Sequence, residues 1–184
     1  MKKRDTLSLP KGWEIKKLGE IIKLEYGKPL DKSKRFNSGK YPVYGANGIK
    51  NYTDEFYYDK KSIIIGRKGS AGKINLTKEK FWPLDVTYFV KFKEDEYNLY
   101  FLYYLLTNLN LTKLAKGVKP GINRNDVYNL LVNVPPLPEQ KRIVKKLDAL
   151  QAKTKKLEAI YQQKIVNLEE LKKSILQKAF NGEL

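Results

Sequence analysis

Two residue types that dominate enzyme chemistry are missing from these 184 residues: there is no histidine and no cysteine. The commonest general base and zinc ligand are therefore absent, together with any thiolate metal site or disulfide framework. Three short motifs come near a reactive constellation, and each fails. Gly66-Arg-Lys-Gly-Ser-Ala-Gly72-Lys73-Ile74 has the composition of a phosphate-binding P-loop. Five residues separate its outer glycines where four are required, and Ile74 takes the place of the magnesium-binding hydroxyl. Asn133-Val-Pro-Pro136 holds the residues of an adenine methyltransferase motif in the wrong order, with no glycine-rich methyl-donor site before it. Asp59-Lys-Lys61 supplies the Asp-x-Lys of a nuclease, but residues 32–53 lack the strand carboxylate that such a site needs. Carboxylates alone could hold magnesium, without any spacing that specifies a site. No catalytic residue, metal ligand or cofactor is expected in this chain.

The same residues suit another task. Glycines let backbone N–H groups approach a polyanion closely, and the loop at 66–73 adds Arg67, Lys68, Ser70 and Lys73. Gly45-Ala-Asn47-Gly-Ile-Lys50-Asn51-Tyr52 is a second loop. Its Asn47, Lys50 and Asn51 are able to address base edges, since Asn pairs with adenine in two places and Lys or Arg with guanine. Lys116-Gly-Val-Lys119-Pro-Gly-Ile-Asn123-Arg124 is a third, flexible and basic, offering Lys116, Lys119, Asn123 and Arg124. Taken singly, each Asn-Gly or Pro-Gly is equally an ordinary tight turn.

Charge favours the nucleic-acid reading. There are 37 Lys/Arg against 20 Asp/Glu, a net +17. Residues 32–53, 60–78 and 97–125 contain no carboxylate, which leaves their basic side chains without local partners and available to phosphates. Double-stranded DNA is the expected partner, with binding that weakens steeply as salt rises. A generically basic proteome would give the same net charge. The 20 aromatic residues before Pro135 are assigned mostly to the core rather than to stacking platforms.

The elements that must position these loops are legible from pattern. Residues 13–18 suggest an opening strand and 19–22 a short helical turn. Glycine-bounded apolar runs at 41–44 and 62–65 read as strands, continued by 72–76 and 85–92. Residues 98–109 suggest a buried helix, 126–130 a helical turn, 131–134 a closing strand, and the prolines of 135–138 a stiff hinge. Strands mixed with a few helices, without regular alternation, indicate an α+β domain over 1–137. The basic start at 1–5 is followed by no apolar signal segment, and 99–111 is too short and polar to span a bilayer. A cytoplasmic protein without a membrane partner is expected.

The last quarter is different in kind. From Glu139 to Phe180 there is no proline or glycine across 42 residues, which predicts one helix about 63 Å long. Pro138 suits its first position and Gly182 a left-handed stop. Ile143, Leu147, Leu150, Thr154, Leu157, Tyr161, Lys164, Leu168, Leu171, Ile175 and Lys178 follow a 4-3-4-3 spacing, the seam of a left-handed coiled coil. Thr154 and Lys164 interrupt it as register-setting polar residues do. Nothing else in the chain offers a second helix of matching length. The alternative is a helix folded back on its own domain.

Several stretches together resemble the specificity subunits of type I restriction–modification systems. Leu9-Pro-Lys-Gly-Trp-Glu-Ile-Lys-Lys-Leu-Gly-Glu20 resembles the opening of their target-recognition domain. Gly45-Ala-Asn-Gly48, Ile65-Gly-Arg-Lys-Gly-Ser-Ala-Gly72 and Pro83-Leu-Asp-Val-Thr87 resemble its loops and central strand. Val134-Pro-Pro-Leu-Pro-Glu-Gln140 resembles the hinge into the family's central helix, and Leu171-Lys-Lys-Ser-Ile-Leu-Gln-Lys-Ala-Phe-Asn-Gly-Glu-Leu184 its terminal signature. The resemblance implies a target-recognition domain at 1–137 and, at 138–184, a helix for dimerisation and methyltransferase docking. It implies recruitment of an adenine methyltransferase subunit and a restriction subunit, which would hold the S-adenosylmethionine, ATP and magnesium chemistry.

A full specificity subunit carries two domains and two antiparallel helices, whereas one of each is present here. A half-subunit acting as an antiparallel homodimer is therefore expected, with Ile143, Leu147, Leu150, Thr154, Leu157, Tyr161, Leu168, Leu171 and Ile175 at the interface. Charge agrees: residues 138–158 hold 7 basic and 3 acidic side chains, and 159–184 hold 4 and 3. Identical domains at opposite ends of a paired rod would read a bipartite inverted repeat. Two other readings stay open: a coiled-coil adaptor with non-specific nucleic-acid affinity, and a truncated product acting only beside a full-length subunit.

Overall fold

Ser62-Ile-Ile-Ile-Gly66 forms strand β5, and every residue in it is buried. A continuous apolar run of this kind belongs at the centre of a sheet covered on both faces. In the computed structural model, which describes residues 9–183, β5 lies between β6 (Ile74–Thr77) and β8 (Thr87–Phe92). Beyond β8 comes β2 (Ile22–Tyr26), completing an antiparallel sheet in the order β2-β8-β5-β6. A second sheet, β4-β3-β7, joins β3 (Tyr41–Gly45) antiparallel to β4 (Gly48–Thr53) and parallel to β7 (Trp82–Pro83). A two-stranded ribbon pairs β1 (Glu14–Lys17) with β9 (Leu131–Val134). The basic start at 1–5 and Leu184 lie outside the described residues.

Helices cover the sheet from few positions. Helix α1 (Leu18–Ile21) links β1 to β2, and α3 (Arg124–Tyr128) precedes β9. Helix α2 (Leu99–Asn108) packs against β5 and β6 through Leu99, Phe101, Leu102 and Leu106. Its start is fixed chemically: the Asn98 side chain accepts from the N–H groups of Tyr100 and Phe101 at 3.0 and 3.1 Å, satisfying two of the four donors a helix leaves open. The architecture is α+β, as the sequence indicates.

The differences are local and have causes. Residues 45–52 are not one loop: Ala46 and Asn47 form a turn, and Gly48–Thr53 is a strand paired with β3. Strand β2 escaped notice because a short helical turn runs straight into it, although Ile22, Leu24 and Tyr26 alternate with Lys23 and Glu25. The segment 116–124 is not flexible in form, since Lys116 and Gly121 exchange backbone hydrogen bonds at 3.0 Å. Three basic residues from the acid-free windows find carboxylates through space: Lys34 with Glu55 at 2.6 Å, Lys116 with Asp126 at 3.2 Å, and Lys61 with Glu94 at 3.9 Å.

The chain divides into two compact units, Met1–Lys141 and Arg142–Leu184. Helix α4 (Leu137–Phe180) starts inside the first, one residue before the expected Pro138. Gln140 explains why its first turn belongs there. It is 1% exposed, and its amide donates to the carbonyls of Glu96 (3.1 Å) and Pro135 (2.9 Å) while accepting the Asn98 N–H at 2.8 Å. One side chain thus ties together the start of α4, the end of β9 and the cap of α2.

In the second unit every described residue from 148 to 183 is exposed. Leu150, Leu157, Tyr161, Leu168, Leu171 and Ile175 are among them, at 45–64% exposure, while Ile143 and Leu147 are half-buried. Thr154 returns its hydroxyl to the Leu150 carbonyl at 3.1 Å and so is satisfied within its own helix. Beside Lys164 stands the exposed Ile165. Substituting it into the seam gives a local 4-4-3 spacing, an eleven-residue step that relaxes left-handed supercoiling. Gly182 adopts φ +72, and the N–H groups of Gly182 and Glu183 reach back to Ala179 and Lys178, closing the helix with a Schellman turn. No helix among the described residues is long and apolar enough to cross a membrane.

Replacing Gln140 by Leu removes the side-chain partner of three backbone groups: the Pro135 carbonyl in a buried bond, and the Asn98 N–H and Glu96 carbonyl in partly buried ones. At about 1–3 kcal/mol for the buried group and less for the two that water can reach, the loss should be roughly 2–3 kcal/mol, or about 7 °C in the melting temperature of a domain this size. Thermal unfolding followed by circular dichroism checks this; a shift below about 2 °C would mean that the bonds are not structural.

Candidate nucleic-acid interface

Register places many strand ends at one edge of the fold. Tyr26, ending β2, faces Tyr88 near the start of β8, and Gly66, ending β5, faces Thr87. Gly45 and Gly48 pair across the β3–β4 turn, and Tyr44 lies beside Pro83 just before β8. The loop at 67–73, the turn at 46–47 and the link at 84–86 therefore emerge together.

Glycine permits this closeness. A Cβ on Gly66 would fall 2.2 Å from the Ser70 carbonyl oxygen and 2.6 Å from that of Ala46. A Cβ on Gly72 would fall 2.4 Å from the Thr112 nitrogen, and Gly72 also holds φ +85. Backbone bonds then lace the loops to one another. Arg67 N–H donates to Val86 (2.8 Å), Gly69 N–H to Pro120 (2.9 Å), and Ile122 N–H to the Arg67 carbonyl (3.0 Å). The segment 116–122 is thereby stitched along the 67–69 loop.

Two clefts open at this edge. One, of about 410 Å³, is lined by Asn47, Lys50 and Ser70 together with Ile49, Leu84 and Val86. The other, of about 320 Å³, is lined by Arg67, Lys68, Asn123 and Arg124 together with Tyr26 and Tyr88. Both sit low in the range of small-molecule clefts, which suits a phosphate or a base edge better than a large cofactor. No Asp or Glu lines either cleft. Of the residues singled out from the sequence, seven line a cleft. Asn51, Lys73, Lys116 and Lys119 line neither.

Tyr26 is the residue that sequence reasoning missed. It is 47% exposed, and the guanidinium groups of Arg67 and Arg124 lie over its ring at 5.2 and 5.3 Å from the centroid. That is cation–π range, and it brings the two cations within about one Debye length, roughly 10 Å, of each other. Arg67 is further held by its Nε, which donates to the Asp85 carbonyl at 3.0 Å. Arg124 also lies over Tyr128, at 5.9 Å. Tyr88 lies tilted against Tyr26, with centroids 5.1 Å apart and ring planes at 58°, and donates its hydroxyl to the Ile122 carbonyl at 3.2 Å. Burial first, and then the hydrogen bond with Tyr26, push the Tyr88 hydroxyl up to about 12, so it remains a neutral donor across physiological pH.

Asn123 has a structural task of its own: its side-chain oxygen accepts the Asn125 N–H at 2.8 Å and caps α3. Val118, fully exposed in the 116–121 turn, adds an apolar tip that charge counting overlooked. The signal for Tyr26 was the alternation of β2, not the aromatic count. No cluster of three or more acidic residues able to hold a metal occurs among the described residues.

Comparison with known proteins gives this edge its context. Residues 10–170 match the family model described as the type I restriction modification DNA specificity domain. The chain is 30% identical to the EcoDI type I restriction enzyme specificity subunit of Escherichia coli, over 96% of this chain and 39% of that protein. It is likewise 30% identical to a putative type I restriction enzyme specificity subunit of Haemophilus influenzae, over 88% of this chain and 48% of that one. Among solved structures, it aligns with a chain from a study of assembly and conformational transition in the type I restriction–modification system. The TM-score is 0.79 at 24% identity, covering 98% of this chain and 48% of that chain. The Mycoplasma genitalium S subunit gives 0.70 at 22% identity, covering 86% and 43%. This chain spans half or less of the length of the curated relatives it matches.

The glycine contacts make the loop scaffold testable. Gly72→Ala should cost about 3 kcal/mol or more, from left-handed strain added to a clash with backbone. Gly69→Ala, with φ +79 but nothing within 4 Å of its Cβ, should cost only the strain, about 1–2 kcal/mol. Urea unfolding measures both; equal losses would show that the loop does not rest against Thr112.

Proposed function

The chain belongs to the type I restriction modification DNA specificity domain family, and on that premise we propose that it selects the DNA sequence on which partner subunits act. What carries the proposal is the carboxylate-free pair of clefts at the strand ends, lined by Asn47, Lys50, Arg67, Lys68 and Arg124. Backbone-fixed loops place amide, ammonium and guanidinium groups together, the donor set for groove edges and phosphates. The chain itself is non-catalytic. A methyltransferase subunit and a restriction subunit supply S-adenosylmethionine, ATP and magnesium, and the assembly acts in the cytoplasm.

The exposed ribbon of α4 supports a second helix as its cover, and we assign that helix to a second copy. Each copy would bury Leu150, Leu157, Tyr161, Leu168, Leu171 and Ile175, now roughly half exposed. Allowing for that, complete burial on both copies yields on the order of 10 kcal/mol, comparable with the roughly 4–15 kcal/mol cost of association. Contact along only a turn or two would not suffice, so pairing runs the length of the ribbon. Antiparallel pairing sets the more basic half of each helix against the less basic half of its mate. Two identical domains then read two identical half-sites, an inverted repeat with an unread spacer.

Sedimentation equilibrium of the full chain at micromolar concentration should give a dimer, and the Leu157→Glu/Leu168→Glu double variant a monomer with an unchanged domain melting curve. A monomeric wild type would sink the self-pairing. Methylated-adenine mapping in cells carrying the gene with its methyltransferase should reveal a spaced inverted repeat. An asymmetric bipartite site would instead mean that the second domain comes from a different chain.

A further inference from the structure

Arg67 and Arg124 are both half-buried and both lie over the Tyr26 ring, but Arg124 directs a terminal nitrogen at the Leu24 carbonyl (3.5 Å), whereas Arg67 is held through its Nε. Its backbone N–H donates to Val86, its carbonyl accepts from Ile122, its Nε donates to Asp85, and its guanidinium lies over the Tyr26 ring. The two terminal nitrogens of the fork make none of these hydrogen bonds. Arg67 is half-buried and lines the 320 Å³ cleft, whereas Lys68, Lys73 and Lys119 are exposed and form no ion pair among the described residues.

These two kinds of cation suit different parts of a duplex. A phosphate presents charge from many directions and is met well by mobile ammonium groups at the rim. A base edge demands a planar pair of donors at fixed angle and spacing, and a pre-set fork loses little freedom on forming both bonds. Guanine is the base that offers two acceptors, N7 and O6, to such a fork in the major groove. We infer that Arg67 reads a guanine in each half-site, with Tyr26 as the positioning residue that holds its fork, while Lys68, Lys73 and Lys119 contact phosphates. This rests on the DNA-selection reading above and assigns residues within it.

The test is selection of bound duplexes from a random-sequence library by the full chain, followed by affinity measurements at 50 and 200 mM salt. Wild type should enrich a motif containing guanine at a fixed position in each half. Arg67→Lys keeps the charge but not the fork. It should relax that one position, lowering discrimination there about tenfold or more and leaving the rest of the motif and the salt dependence unchanged. Tyr26→Leu should relax the same position, and Tyr26→Phe should restore it. Lys68→Ala should weaken all sequences alike and reduce the slope of log affinity against log salt by about one.

The assignment is overturned if Arg67→Lys leaves every position of the motif intact, or if the relaxed position is not guanine. It is equally overturned if Arg67→Gln merely lowers affinity and salt slope together, as a phosphate contact would. A wild type that enriches no motif overturns the DNA-selection reading itself, which separates the two failures. Because Tyr26 lies on β2 and Arg67 in the loop after β5, the Tyr26 pair keeps the test decisive even where an Arg67 variant misfolds.

Discussion

The edge where the strand ends gather depends on backbone hydrogen bonds between segments far apart in sequence. Residues 67–69 bond to Val86 on one side and to Pro120 and Ile122 on the other. None of these bonds uses a side chain. They form because Gly66 and Gly72 lack the Cβ atoms that would hold the strands of chain apart, and because β5 and β8 deliver their ends to the same place. Burial of β5 makes that delivery rigid. With Ile63, Ile64 and Ile65 fully inaccessible and β5 paired to β6 on one side and β8 on the other, the position of Gly66 is held by the core and ladders beneath it.

Most of the scaffold was legible in the sequence, and the gaps share a cause. Apolar runs bounded by glycine identified β3 and β5, and an unbroken 42-residue stretch identified α4. Segments whose partners lie elsewhere in the chain were harder. Strand β4 is polar on much of its length and gains its identity only from pairing with β3; the Asn-Gly before it was a hairpin signal read as a loop tip. Lys116 looked unpaired because Asp126 is ten residues away, and Lys34 because Glu55 is twenty-one away. Tyr26 was absorbed into an aromatic count. Its exposure follows from its place at the very end of β2, beyond the cover of the helices, a fact that no local window contains.

The two units use opposite physical strategies. The globular unit keeps its apolar residues inside and presents polar groups held by a covalent and hydrogen-bonded frame. The helical unit has almost no interior: beyond residue 148 it displays leucine, isoleucine and tyrosine side chains to solvent. Net charge is positive in both, which keeps each compatible with a polyanion nearby. The first turn of α4 still belongs to the globular unit, where Gln140 fastens it to the carbonyls of Glu96 and Pro135.

A frame built from N–H and C=O groups has an evolutionary corollary. Every residue except proline brings both groups, so the side chains at 47, 50, 68, 70 and 119 can be exchanged with little folding penalty while the glycines stay. The surface chemistry of this edge is thus open to change by single substitutions, without passage through misfolded intermediates.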